Sequence, residues 1–590
     1  MCIMKNIFLI AFLASSLFAA SQNGYWQQKV EYTIQAELND TDAKLSGNEK
    51  VVYTNNSPDA INEIYFHLYW NSFSKGSHAF EKMGVDAKTL KKSDFGSIAI
   101  ENVKVNGQAV EMKVFESIGQ IKLIKPLAAG EKIEITLNFN SVVPKALNRC
   151  GKNNTAGTDF TFTQWYPKIC RYDKQGWHTD PYLGREFAGT FGTFDVNISC
   201  DASFTVAGTG TPKNKEYIKD GWKSTDETAA KNGLVNWEFH AENVHDFAWA
   251  ADKEWSYQKK TIDGINFQFF YGDYNTDEWD YLIENWASAY AICKEEFGAY
   301  PYPQFSFIQG GEGYMEYPMC TMLEESRFDF FNTACHEFMH NYFYGIYGSD
   351  ENLHHWMDEG VTCYAEARIS NISNSEIYPA RDAFSSYSWM RLITTEEPVA
   401  TAANHFVEDY AYYNAAYYKG QLFPEMIRYI IGDNKMKEGF AKYYELWKFK
   451  HPEPNDFVKV FEDVSGMELT WFQNYWLNTT HTIDLTIGDI IKRSGGIDLK
   501  IERTGVPVPV ELEVLLKDGS KKYFYIPLDL TNNPKTDFIN EINILPTWSS
   551  AAIEHEVFIP IKYKDIESIT IDPNQILPDI NEEGNIKTID

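Results

Sequence analysis

The segment His336-Glu337-Phe338-Met339-His340 sets two imidazoles four residues apart, with a carboxylate beside the first. On a helix, residues at that interval lie one turn apart on the same face. Both rings can then reach one metal ion while Glu337 projects next to it. The chemistry this suits is the activation of a water molecule. A catalytic zinc takes three protein ligands and leaves a fourth position open. Glu359 follows His340 after 18 intervening residues, in Trp356-Met357-Asp358-Glu359-Gly360, and is the candidate third ligand. The interval leaves room for a helix ending near Gly345, a turn through Gly348-Ser349-Asp350, and a second helix that brings Glu359 back to the histidines. Taken alone, the five-residue motif also fits a partly exposed helix with two surface histidines and with Phe338 and Met339 in the core.

Three further stretches bear on the choice: Gly313-Tyr314-Met315-Glu316-Tyr317-Pro318, Tyr417-Tyr418-Lys419-Gly420 and Thr163-Gln164. In this order around the metal motif, they resemble the gluzincin peptidases of the aminopeptidase N and leukotriene hydrolase type, in their short bacterial form. The resemblance implies one zinc ion per chain, held by His336, His340 and Glu359, with Glu337 as general base and then acid. It implies that Tyr417 gives a hydroxyl to the transition state and that Glu316, in a motif with Gly313 and Met315, holds the free α-amine of a peptide. Gln164 would line the pocket for the first substrate residue. The implied activity is that of an aminopeptidase acting on peptides with a free N-terminus. Tyr317 stands where the longer relatives have asparagine, and nineteen residues separate Glu316 from His336, fewer than in the best-known members. A zinc endopeptidase on the same centre and an inactive scaffold of the same fold are the alternatives. Intact Glu337 and Tyr417 speak against the second, and Glu316 separates exopeptidase from endopeptidase.

The elements that must hold these residues change along the chain. Residues 22–252 carry short alternating runs such as Val30 to Ile34 and Lys132 to Leu137, the period of strands, and predict an N-terminal β domain. Apolar residues at helical spacing from Asp277 to Phe297, stopped by Gly298, open a mostly helical region, and a catalytic domain is expected over 253–480. Its other helices are expected across His336, from Tyr417 to Ile431, and after Asn455 as a cap. Alternation from Val510 to Leu516, an Asp518-Gly519 turn and a second strand predict a β-sandwich over 481–590. The fold class is therefore multidomain α+β, and the family resemblance implies a saddle-like N-terminal sheet and a thermolysin-like catalytic domain.

Residues 1–21, with Lys5 ahead of an apolar run from Ile7 to Leu17 and small residues at Ala19-Ala20-Ser21, read as a secretory signal peptide. The mature protein is then expected in the periplasm or secreted, with no membrane span. Fifty-three basic against 83 acidic residues give a net charge of −30, which disfavours nucleic acid and anionic membrane as partners. Seven cysteines follow the leader without a CxxC pair, and only Cys150 with Cys170 is a plausible bridge. His354 and His355 are expected in structural or surface roles, and Cys335 and Cys363 to pack away from the ligands. Glu366 is open between orienting a ligand and a surface ion pair, and the tyrosines from Tyr410 to Tyr418 between cleft and core.

Overall fold

The computed structural model describes residues 24–589 apart from 84–89, 146–148, 219–220, 225–232, 274–275, 311–312, 325–328, 372–380 and 539. The leader expected over residues 1–21 lies outside the described residues. The N-terminal region is built on an eight-stranded sheet. Its central strands are Leu234–Val244, Gly192–Asp201, Lys29–Asn39, Lys44–Thr54, Lys132–Val142 and Ser97–Val105 in that order. The alternation that predicted strands is what the sheet uses. Val30, Tyr32, Ile34, Ala36 and Leu38 are buried on one face, while Lys29 and Glu37 on the other face are exposed. Lys29–Asn39 pairs antiparallel with Lys44–Thr54 and parallel with Gly192–Asp201, Val30 lying opposite Gly192. Two four-stranded sheets and two two-stranded ones join the eight-stranded sheet among the described residues, one of the former carrying Phe160–Phe162 just before Gln164.

The next region opens with a five-stranded sheet that periodicity alone did not reveal, ordered Ser256–Ile262, Ile265–Tyr271, Gln304–Gln309, Cys320–Leu323 and Met315–Tyr317. Gln304 to Gln309 is buried at every position, so its residues carry no alternation to read. Side chains weld this sheet to the N-terminal region: Gln304 Nε2 donates to the Gly210 carbonyl at 2.7 Å and Thr158 Oγ1 to the Gln309 carbonyl at 2.7 Å. Against the sheet lie the long helix Thr276–Phe297 and the helix Phe330–Phe343. Phe338 is the peg between them, its ring 4.8 Å from Trp286 and 4.9 Å from Phe305. Further helices, Val361–Ile369, Arg381–Ile393, Lys419–Ile431, Asp433–Trp447, Pro454–Ser465 and Thr470–Asn478, complete the layer. The helix expected to start after an Asn455 cap begins two residues earlier. Glu453 is the cap, reciprocally bonded with Asp456, and Pro454 occupies the first turn, where its missing N–H costs nothing.

The last region forms a three-stranded and a five-stranded sheet. The predicted hairpin is there as Val510–Leu516 paired with Lys521–Ile526. Tyr429 joins it to the helices, its hydroxyl donating to the Pro509 carbonyl at 3.2 Å. Cys150 and Cys170 are buried free thiols, so the bridge considered between them is not formed. Among the described residues, no helix is long and apolar enough to cross a membrane.

Candidate metal and substrate site

The helix Phe330–Phe343 turns Ala334, Cys335, Phe338, Met339, Tyr342 and Phe343 into the core, which fixes its rotation. His336, Glu337 and His340 are left facing a cleft of about 350 Å³. The chain then turns through Asp350, whose side chain caps the short helix Glu351–His355 by accepting the Leu353 N–H at 3.1 Å. A single π turn, Trp356–Gly360, carries Glu359, and the helix Val361–Ile369 follows it. A second π turn, Asn414–Tyr418, carries Tyr417. Such turns widen the helix by one residue and recur at functional sites.

The two turns meet at glycine. A Cβ at Gly360 would lie 2.5 Å from the Gly420 carbonyl carbon, and one at Gly420, just after the second turn, would lie 3.1 Å from the Gly360 Cα. Only bare backbone lets the turns approach this closely. The approach brings the Tyr417 hydroxyl to 2.5 Å from Glu359 Oε1.

His336 Nε2 and His340 Nε2 are 2.9 Å apart, and each lies 3.3 Å from Glu359 Oε2. Ligands on tetrahedral zinc, with bonds of about 2.0–2.1 Å, stand about 3.3 Å from one another. The three groups thus fit one such ion. Both rings are held from behind. His340 Nδ1 lies 2.5 Å from Asp358 Oδ1 and His336 Nδ1 lies 3.2 Å from Glu366 Oε2. With those nitrogens protonated, both Nε2 lone pairs point at the ligand triangle. Burial opposes ionisation of Glu359, yet contacts with His340 and His336 hold its carboxyl well below the usual range. Burial pushes Glu337 up to about 7 against the pull of the two histidines. Its Oε2 is buried without a protein partner.

Glu316 sits on the edge strand Met315–Tyr317 and is 3 % exposed. One carboxyl oxygen of Glu316, one of Glu337 and a ring nitrogen of His340 all lie within 4.8 Å of one another. Glu316 is equally close to Glu186 and Glu351. Arg149 grips Glu186 through two bonds of 2.6 and 2.7 Å. Burial keeps the Glu316 carboxyl well above its ordinary pKa.

The structure therefore brings together His336, Glu337, His340, Glu359, Tyr417, Glu316 and Met315 around one cleft. Gly313, at φ 91°, supplies the left-handed bend ahead of the strand and does not border the cleft. Gln164 does not line the cleft either. It stands behind Tyr317 and accepts its hydroxyl at 3.3 Å.

Asp358, Arg149, Glu186 and Glu351 are functional candidates the sequence reading missed. Only Asp358 carried a signal, as the acidic neighbour of a ligand that a histidine needs behind it. Glu366 orients His336. Cys363, expected to pack away, borders the cleft with its sulfur 3.8 Å from His336 Nδ1. His355 is structural, bonded to the Thr401 carbonyl at 3.1 Å, and Cys335 is buried. The tyrosines divide: Tyr412 is core, Tyr417 borders the cleft, and Tyr410 and Tyr413 are exposed.

Residues 305–476 match the family model described as Peptidase family M1 domain. Aminopeptidase B of Rattus norvegicus is 25% identical over 183 residues, which cover 27% of this chain and 28% of that protein. The aligned stretch is thus little more than a quarter of that relative's length. An M1 zinc metallopeptidase from Deinococcus radiodurans, solved bound to a Tyr-Ser-Ala substrate, superimposes with a TM-score of 0.53 at 15% identity, over 77% of this chain and 94% of that one. Legionella pneumophila aminopeptidase A, in complex with aspartic acid, superimposes with a TM-score of 0.65 at 14% identity, over 94% of this chain and 59% of the other. At such identities the superpositions speak for the fold, which is that of multidomain M1 enzymes. With the motif order and the ligand triangle already in view, residues 305–476 are similar to a peptidase family M1 domain, and the site resembles that of the gluzincins of the aminopeptidase N type.

Proposed function

We propose that this protein is an exported, zinc-dependent aminopeptidase that hydrolyses the first peptide bond of peptides with a free N-terminus. The observation that carries the reading is the position of Glu316. Its buried carboxyl lies beside Glu337 and the ligand His340, within 4.8 Å, so an α-ammonium paired with it sets the first peptide bond over the metal site. An endopeptidase has no use for that anchor.

His336, His340 and Glu359 would hold one zinc ion per chain, which when bound polarises the substrate carbonyl and lowers the pKa of water. Glu337 takes the proton of the attacking water at its unpartnered oxygen and returns it to the leaving amine. Tyr417 turns its hydroxyl from Glu359 to the substrate oxygen as negative charge develops there, a contribution of about 3 kcal/mol for a single donor of this kind. Asp358 and Glu366 keep the two ligand rings in the tautomer that leaves Nε2 free. The boundaries at 253 and 480 and removal of a leader over residues 1–21 belong to the same proposal.

A panel of fluorogenic aminoacyl amides, free and N-acetylated, with and without a zinc chelator, tests the reading. Free-amine substrates should turn over, and N-acetylation or chelation should abolish turnover. Cleavage of acetylated substrates at the same rate would refute it.

A further inference from the structure

His336 belongs to two groups of donors. Nε2 faces His340 and Glu359, while Nδ1 lies 3.2 Å from Glu366 Oε2 and 3.8 Å from Cys363 Sγ. The nitrogen, sulfur and oxygen of this second group all lie within 4.8 Å of one another. Cys363 and Glu366 are three residues apart on one helix and so project from one face. Both border the cleft, and the Glu366 side chain is 25% exposed, so an ion can reach them from solvent. Tetrahedral zinc with Zn–S of about 2.3 Å and Zn–N of about 2.0–2.1 Å would set sulfur and nitrogen about 3.5 Å apart. The observed spacing needs only a small closure. A thiolate and an imidazole beside a carboxylate favour soft cations over calcium or magnesium.

We propose that Cys363, Glu366 and Nδ1 of His336 form a second, inhibitory site for a soft divalent cation, namely zinc in excess or cadmium. On binding, the Cys363 thiol and the His336 Nδ1–H each release a proton to water as the sulfur–metal and nitrogen–metal bonds form, and nothing is oxidised or reduced. Two dications on opposite nitrogens of one ring repel each other, so this site is the weaker of the two. Its occupation removes the Nδ1–H bond to Glu366 that orients the ligand ring, and that is the route to inhibition. The inhibitory part rests on the hydrolase reading, whereas the binding part does not.

The test is a cadmium titration of the full chain already loaded with one equivalent of zinc. It follows the ultraviolet thiolate-to-cadmium absorption, the peptidase rate, and protection of Cys363 from iodoacetamide mapped by peptide mass. The expected result is one added equivalent that builds the absorption, protects Cys363 and lowers the rate in step. In Cys363→Ser the absorption should vanish, and half-inhibition, relative to that variant's own rate, should need about 10- to 100-fold more cadmium. Glu366→Gln should keep the absorption and need more cadmium to reach it. Absorption that persists in Cys363→Ser, or an unprotected Cys363 in the unaltered chain, would overturn the site. If no substrate is cleaved at all, absorption and protection still decide the binding.

Discussion

His336, His340 and Glu359 come from 24 consecutive residues, folded as helix, turn and helix. Of the carboxylates on the amine side of the cleft, Glu351 shares that stretch, but Glu316 and Glu186 do not. Glu316 comes from a sheet edge, Glu186 from a loop of the N-terminal region and Glu351 from a short helix, while the arginine gripping Glu186 is 37 residues ahead of it. The metal side is fixed by local spacing, and its backing groups Asp358 and Glu366 lie within that stretch and seven residues past its end. The amine side exists only because the five-stranded sheet and the N-terminal region are packed together. One side of the site should therefore tolerate damage to the region's seams, and the other should not.

The largest effect expected on the metal side is that of Glu337→Gln, a loss of about 10²- to 10⁴-fold in kcat, the usual worth of a general base. Zinc content should be unchanged, because Glu337 is not a ligand. A zinc-replete variant with normal kcat would break the assignment.

On the amine side, Glu316→Gln should lower kcat/KM for free-amine substrates by about 10- to 100-fold, as expected when a charged hydrogen bond is lost. The gap between free and acetylated substrates should close with it, while zinc affinity stays put. A variant that loses zinc instead would show that the two sides are not separable.

Asp358→Asn sharpens the same contrast from behind. Removing the carboxylate from His340 Nδ1 should weaken zinc about 10- to 100-fold, measured by competition with a chelator. The free-amine preference of the zinc-saturated variant should remain.

The smallest effect concerns the seam itself. Asp173 and Asp350 bracket His178 at 2.8 and 2.9 Å, tying the N-terminal region to the turn that leads to Glu359. Burial opposes protonation of His178, but the two adjacent carboxylates win and raise it to about 9. Its folded value thus lies above the unfolded value of about 6.5. The stabilisation is complete below pH about 6.5 and is lost as pH rises through 9. Asp350 runs the other way, since its carboxyl is held low by His178 and Arg171 despite burial. Its share is present above pH about 4 and is lost on acidification. Tm should fall between pH 6.5 and 9.5 in the unaltered protein and change less in His178→Gln; equal slopes would remove the seam from the account.

How much of this was legible follows the same division. A period of 3.6 residues, applied once, finds His336 and His340, and a returning helix finds Glu359. Applied again from Glu359, it also reaches Cys363 and Glu366 at intervals of four and seven, so Cys363 faces the cleft by the rule that pairs the histidines. Its assignment to packing neglected that interval. Strands with one wet face, such as Lys29–Asn39, announced themselves by alternation, whereas the fully buried Gln304–Gln309 did not. Glu186 and Arg149 could not be found at all, because nothing local distinguishes a loop carboxylate that a distant arginine will hold. The meeting of Gly360 and Gly420 is likewise a tertiary fact, although each glycine stood beside a residue of interest.

The most direct test is the zinc content of the purified protein, set beside that of Glu359→Ala. One zinc per chain in the unaltered protein, and a large loss of zinc together with activity in the variant, is the expected result. A full complement of zinc retained without the Glu359 carboxylate, or an active protein that contains none, would contradict the metal centre on which everything else is built.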